Sequence, residues 1–226
     1  MRIDIVTLFP GLVKAPLAES MIRRARERGI ADLRIVNLRA YGIGRHRVCD
    51  DKPFGGGAGM VMKPEPIFAA VKKIRTGRSR VILMSASGRP FTQGAARRLA
   101  REKHLILLCG HYEGVDERVA KTLADEELSL GDFVLTGGEI PALAVVDAVV
   151  RLLPGCLGNS ASHDSESFYA GRLDYPHYTR PQAFRGMRVP SILVSGDHRA
   201  VRAWREREAL AQTRRRRPDL LKRSSR

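Results

Sequence analysis

Cysteine is scarce in this chain of 226 residues: Cys49, Cys109 and Cys156 stand far apart, and no C-x-x-C pair occurs. That spacing argues against a disulfide framework and the common zinc ligand sets, and it suits a reducing compartment. No apolar run approaches a membrane span, and the opening MRIDIVTLFPG meets an acid at Asp4 without a long apolar core. A soluble, cytoplasmic protein with no membrane contact is expected. The chain also lacks G-x-x-x-x-G-K-[ST], and no G-x-G-x-x-G follows a strand, which sets aside P-loop and Rossmann nucleotide sites. Internal repeats and low-complexity tracts are missing as well.

What is plentiful is apolar matter and positive charge. At 43% hydrophobic the chain has enough material for a proper core, and its length suits one domain with a small extension. Forty Lys and Arg against 24 Asp and Glu give a formal charge of +16. Such a balance favours a polyanionic partner. Arginine dominates the surplus, and its planar fork matches phosphate and guanine edges, so nucleic acid comes before membrane.

Strand and helix patterns alternate along most of the chain. Arg2 to Phe9 reads as a strand closed by Pro10-Gly11, Leu17 to Arg28 as a basic amphipathic helix stopped by Gly29, and Asp32 to Leu38 as a second strand. Periodicity then fails from Arg39 to Lys63, a long loop that includes GIGRHRVCDDKPFGGGAGM. Helix, strand and helix follow to Arg101, and an apolar helix is expected from Ile140 to Leu153. This alternation predicts an α/β fold with a parallel sheet. Composition shifts after Pro154-Gly155, dividing the chain into a body over 1–157, a linker over 158–175 and a basic, helical piece over 176–226.

Three segments share one shape. RVILMSASGRP, LILLCGHYEGVDERV and GDFVLTGGEIPAL each run an apolar strand into a loop bearing glycine, where backbone can approach a ligand closely. Together they predict one pocket at the strand ends. Arg45, His46 and Arg47 precede Asp50 and Asp51 in the long loop, a mixture suited to substrate contact or to a local salt-bridge network. The linker carries Asp164, Glu166 and Asp174, carboxylates that could serve as general bases if folded over a pocket, and Arg151 lies near the preceding helix end.

Taken in order, RHRVCDD, PFGGGAGM, CGHYEGVDERV, GDFVLTGGEIPAL and PHYTRP resemble the bacterial tRNA guanine-N1 methyltransferases of the TrmD type, over nearly the whole chain. That family belongs to the SPOUT methyltransferases. The resemblance implies a parallel sheet ending in a C-terminal trefoil knot, against the general rule of unknotted chains, plus a small helical C-terminal domain. It implies S-adenosyl-L-methionine held by Met84, Ser85, Ala86 and Gly88, by Gly110, Tyr112 and Glu113, and by Leu130, Gly131, Asp132, Phe133, Val134, Leu135, Gly137, Gly138 and Pro141.

The implied reaction is methylation of N1 of the guanosine just 3′ of the anticodon, with Mg²⁺ required and Glu113 the one carboxylate offered for the metal. Arg151 then takes the role of the arginine near guanine O6. Glu166 occupies the place of the general base in HDSESF, with Asp164 as the alternative and Asp174 on the guanine edge. Arg45, His46, Arg47 and Asp50 contact tRNA, and Arg214, Arg215, Arg216 and Arg217 add phosphate affinity. The family forms homodimers that share the active site. Rival readings are a non-catalytic SPOUT-fold RNA-binding protein and a SPOUT enzyme acting on another RNA.

Overall fold

The chain divides into two compact units, Met1–Gly158 and Asn159–Arg226; the computed structural model describes residues 1–156 and 166–223. In the first unit, β1 (Arg2–Thr7), α1 (Pro10–Lys14), α2 (Ser20–Glu27) and β2 (Asp32–Asn37) are followed by a loop holding the short β3 (Asp50–Asp51) and β4 (Val61–Met62). Then come α3 (Pro64–Ile74), β5 (Ser79–Pro90), α4 (Gln93–Leu99), β6 (His104–Cys109), α5 (Glu117–Thr122), β7 (Glu126–Ser129) and α6 (Glu139–Val150). Five strands pair in the order β2-β1-β6-β5-β7, all parallel. This is a mixed α/β fold built on a parallel central sheet.

The centre of the sheet is apolar on both faces, as expected where helices cover both sides. All six residues of β6 are buried. Its Leu105, Leu107 and Cys109 pack with Ile3, Ile5 and Ile82 in the core that includes Val13, Ala25, Leu99 and Val146. Ile106 and Leu108 face the other way, in a core with Val6, Leu83, Ile67 and Val119. Each such side chain stabilises the fold by roughly 1.5–3 kcal/mol relative to exposure. The helix α6 is apolar nearly all round, and its Pro141 falls in the first turn, where a missing N–H costs no helical bond.

Three local departures from the sequence reading matter. The helix expected from Leu17 is interrupted: Pro16–Ala18 forms a 3₁₀ turn, Glu19 is extended, and α2 begins afresh at Ser20. The strand expected within Gly131 to Leu135 lies earlier, at β7, because Glu126–Ser129 takes the ladder positions beside β5. Acidic Glu126 hid that strand; it sits at the sheet edge in ion pairs with Arg98 (2.6 Å) and Arg80 (3.3 Å). Conversely Val134, apolar in sequence, is 90% exposed. Finally, β5 does not stop at Met84. It bulges, so that both Met84 and Arg89 pair with Leu128 while Ser85 to Gly88 loop out between them.

In the second unit a hairpin of β8 (Ala183–Phe184) and β9 (Met187–Arg188) precedes α7 (His198–Arg216) and α8 (Pro218–Arg223). Asp197 caps α7 by accepting from the N–H groups of Arg199 (3.0 Å) and Ala200 (2.9 Å). The helix runs on to Arg216 and stops before Pro218. Trp204, Ala209, Thr213 and Leu220 are buried. Residues 166–175 are tied to α7: the N–H of Leu173 donates to Thr213 Oγ1 (2.9 Å), and Gln212 Nε2 donates to the carbonyl of Asp174 (3.0 Å).

Candidate active site

At the C-terminal ends of β5, β6 and β7 the first unit opens a cavity of about 570 Å³. Open parallel sheets place ligands at this edge, and the volume is in the range of small-molecule sites. One wall is the β5 bulge with Met84, Ser85, Ala86 and Ser87; a second is the loop Gly110 to Val115; the third is the stretch from Leu128 to Gly138, with Pro141. Of the cofactor residues read from the sequence, all but Gly88 and Asp132 line it.

Glycine is required where these walls meet. A Cβ on Gly138 would lie 2.7 Å from Cys109 Cα and 3.0 Å from Gly110 N, and the Gly138 N–H donates to the Gly110 carbonyl at 2.8 Å. A Cβ on Gly88 would lie 2.5 Å from Leu128 N. Gly88 therefore holds the bulge against β7 from below instead of facing the cavity. The second wall is zipped to β4: the Met62 N–H donates to the Gly114 carbonyl (2.9 Å) and the Asp116 N–H to the Met62 carbonyl (2.9 Å).

Buried polar groups brace the floor. Glu139, at the start of α6, accepts from the Thr7 hydroxyl at 2.6 Å, joining that helix to β1. A carboxylate is favoured at a helix N-terminus. His111 Nδ1 accepts from the Tyr112 N–H at 3.0 Å, which assigns the proton to Nε2 in the neutral ring. The ring packs between Phe9 (4.5 Å) and Tyr112 (5.0 Å). Burial, followed by a hydrogen bond to Asp50, raises the Tyr112 phenol. Burial pushes the Cys109 thiol well up, with Glu139 adding to it. Asp116, which caps α5 beside the cavity, is held down to about 2, chiefly by its hydrogen bond with the Arg118 side chain.

The remaining sequence candidates are distributed over the chain. Arg45, His46 and Arg47 form the exposed tip of a turn closed by reciprocal Ile43 and Val48 hydrogen bonds. Asp50 begins β3 and faces Tyr112. Arg151 caps the far end of α6, about 15 Å along the helix from Pro141 on the cavity wall. It does not line the cavity of its own unit. Asp164 lies outside the described residues. Glu166 and Asp174 line a second cavity, of about 290 Å³, within the C-terminal unit, together with Arg172, Arg202 and Arg205. Arg205 lies over the Tyr175 ring at 4.8 Å, and His177 Nε2 is 2.9 Å from Asp174 Oδ2. Arg214 to Arg216 end α7, and Arg217 is engaged by Asp219 through two contacts of 2.9 and 2.8 Å.

Glu113 packs against Gly59: a Cβ on that glycine would lie 2.3 Å from Glu113 Oε1. Among the described residues no three His, Cys, Asp or Glu side chains converge as a metal site. Nor, among them, is any helix long and apolar enough to cross a membrane. The cofactor residues read from the sequence left out His111, Ser129 and Thr136, which stand on the cavity wall. His111 had a signal, its place one residue past Gly110, but a lone histidine carries little weight; the others depend on the β5 bulge and the true position of β7.

Comparison with known proteins gives the family. The family model described as tRNA (Guanine-1)-methyltransferase TrmD matches residues 1–223. A protein named tRNA (guanine-N(1)-)-methyltransferase from Moorella thermoacetica is 55% identical, over 99% of this chain and 91% of the relative. Its namesakes from Geobacillus kaustophilus, at 53%, and Staphylococcus epidermidis, at 50%, each align over 98% of this chain and 91% of their own length. With a glycine-walled cavity at the sheet's carboxyl edge and likeness over nearly its full length, the chain belongs to the TrmD family of tRNA (guanine-N1)-methyltransferases.

Proposed function

We propose that this protein methylates N1 of the guanosine immediately 3′ of the anticodon in tRNA, using S-adenosyl-L-methionine. The observation that carries the reading is the cavity at the ends of β5, β6 and β7, with its glycine contacts and its volume of about 570 Å³. Bound there, S-adenosylmethionine would supply a methyl group on a positively charged sulfur, an electrophile that needs alignment more than activation. The bulge residues Ser85 to Ser87 present polar groups to such a ligand, Gly110 and Gly138 let backbone come close to it, and Leu130 and Pro141 line the wall. The close approach of Gly138 to Cys109, Gly110 and Met84 fits a chain threaded into a trefoil knot.

The protein's share of the chemistry is proton removal and charge stabilisation. With the methyl group supplied by S-adenosylmethionine, Glu166 would accept the proton that guanine N1 loses. Arg151 stabilises the charge left on O6, and Asp174 holds the guanine edge. Arg151 is about 15 Å along α6 from Pro141 on the cavity wall and absent from the lining, which supports an active site completed by a second copy of the chain, that is, a homodimer. Arg45, His46, Arg47, Asp50 and the arginines at the end of α7 contact tRNA. Mg²⁺ belongs to the reading only as a requirement of the reaction: among the described residues Glu113 stands without converging carboxylates.

The test uses purified protein, labelled S-adenosylmethionine, Mg²⁺ and two tRNA transcripts that carry G or A immediately 3′ of the anticodon. Label in the G transcript alone, as 1-methylguanosine, is expected; label in neither would transfer the activity to another RNA. Single-turnover methylation by Glu166→Gln and Asp164→Asn assigns the base. Near-normal chemistry in the Glu166 variant would remove that assignment.

A further inference from the structure

The hairpin of β8 and β9 leaves large apolar side chains exposed. Phe184 and Met187 are 55% and 65% exposed. They are direct cross-strand partners, so both project from one face of the ribbon. Between them lies a two-residue turn with Arg185 at φ 50° and Gly186 at φ 80°, the left-handed pair that a type I′ hairpin needs. Strands of two residues contribute little stability by themselves. Every residue from 177 to 188 is exposed.

The surroundings of this apolar pair say what covers it. From Tyr175 to Gly196 the chain carries Arg180, Arg185 and Arg188 and not one acidic residue. The guanidinium of Arg185 already lies over the Phe184 ring, 5.2 Å from its centroid. An aromatic face beside guanidinium groups is the combination that holds unpaired nucleobases and their phosphates. We infer that the β8–β9 hairpin is a stacking surface for bases of the single-stranded tRNA loop, with Phe184 and Met187 on the bases and Arg185 and Arg188 on the flanking phosphates. This rests on the reading of tRNA as substrate and adds a contact outside both cavities. Taking a loop guanine out of its stack leaves neighbouring bases with an open face, and a fixed apolar ribbon can cover it.

The test measures anisotropy of a labelled tRNA transcript with full-length protein over a range of salt. Phe184→Ala with Met187→Ala should weaken binding about tenfold, with an unchanged salt slope, because stacking releases no counterions. Arg185→Ala with Arg188→Ala should weaken binding and flatten the slope by about two. Phe184→Tyr should bind as wild type, whereas Phe184→Leu, which keeps apolar bulk without a ring, should lose affinity. Equal affinity of the Leu and wild-type proteins would overturn the stacking role. A weakened apolar variant whose sedimentation shows a changed oligomeric state would overturn it too, giving the face to a second copy of the chain. If wild-type protein does not bind tRNA, the substrate reading fails instead.

Discussion

At the scale of single residues, Gly138 is a tightly constrained position of the candidate site. Any Cβ there enters the space of Cys109 Cα and Gly110 N, backbone atoms at the end of the central strand. Overpacking of this kind costs about 1–3 kcal/mol even when the surroundings adjust. Gly138→Ala is therefore expected to fold with a lowered melting temperature and to lose at least tenfold in S-adenosylmethionine affinity by calorimetry. Gly77, which has nothing within 4 Å, provides the control: Gly77→Ala should bind as wild type. The cysteines behave in a related way. Cys49, Cys109 and Cys156 are all buried, and burial raises each thiol above its usual value. Raised thiols hold little reactive thiolate near neutrality. A thiol reagent at about pH 8 should modify none of them in the native protein and all of them after denaturation; rapid native labelling of Cys109 would show the floor to be open.

At the scale of elements, α5 is a six-residue helix that forms one side of the cavity through Glu117 and Ala120, and it depends on its cap. Asp116 accepts from the Arg118 N–H at 2.9 Å and pairs with the Arg118 guanidinium at 2.7 Å. Asp116→Ala should cost about 0.5–2 kcal/mol as a lost cap, read as a lower unfolding midpoint. The sign of its pH dependence follows from a folded-state value of about 2 below the usual 3.8: the stabilisation is present above 3.8 and lost as pH falls through about 2. The stability gap between wild type and Asp116→Ala should shrink over that window. An unchanged gap would assign the effect to packing. Elements of this kind were legible in the sequence where pattern and environment agree: β6 is apolar on both faces and α6 apolar nearly all round. Legibility failed where ion pairs substitute for apolar contacts, as at Glu126 in β7, and where an apolar run such as Phe133 and Val134 faces outward. The β5 bulge left no local signal, because it arises from the register of β5 against β7, two segments far apart in sequence.

At the scale of the whole molecule, the charge of +16 indicated a polyanionic partner and the three glycine loops indicated a pocket, but neither distributes the roles. Arg151 illustrates the gap: the resemblance gives it a role at guanine O6, while α6 carries it about 15 Å along the helix from Pro141 on the cavity wall. The C-terminal arginines show a finer distinction. Arg214, Arg215, Arg216 and Arg217 are equivalent on paper, yet Asp219 engages Arg217, and no ion pair among the described residues joins the other three to an acid. Each arginine that neutralises a phosphate adds roughly one unit to the dependence of log affinity on log salt. Replacing Arg214, Arg215 and Arg216 together should thus flatten the slope for tRNA binding by up to about three, while Arg217→Ala alone should leave the slope unchanged. A slope that falls for Arg217→Ala would mean that tRNA displaces Asp219. A slope unmoved by the triple replacement would put the phosphates elsewhere on the protein, with the Arg45 to Arg47 turn the next surface to neutralise.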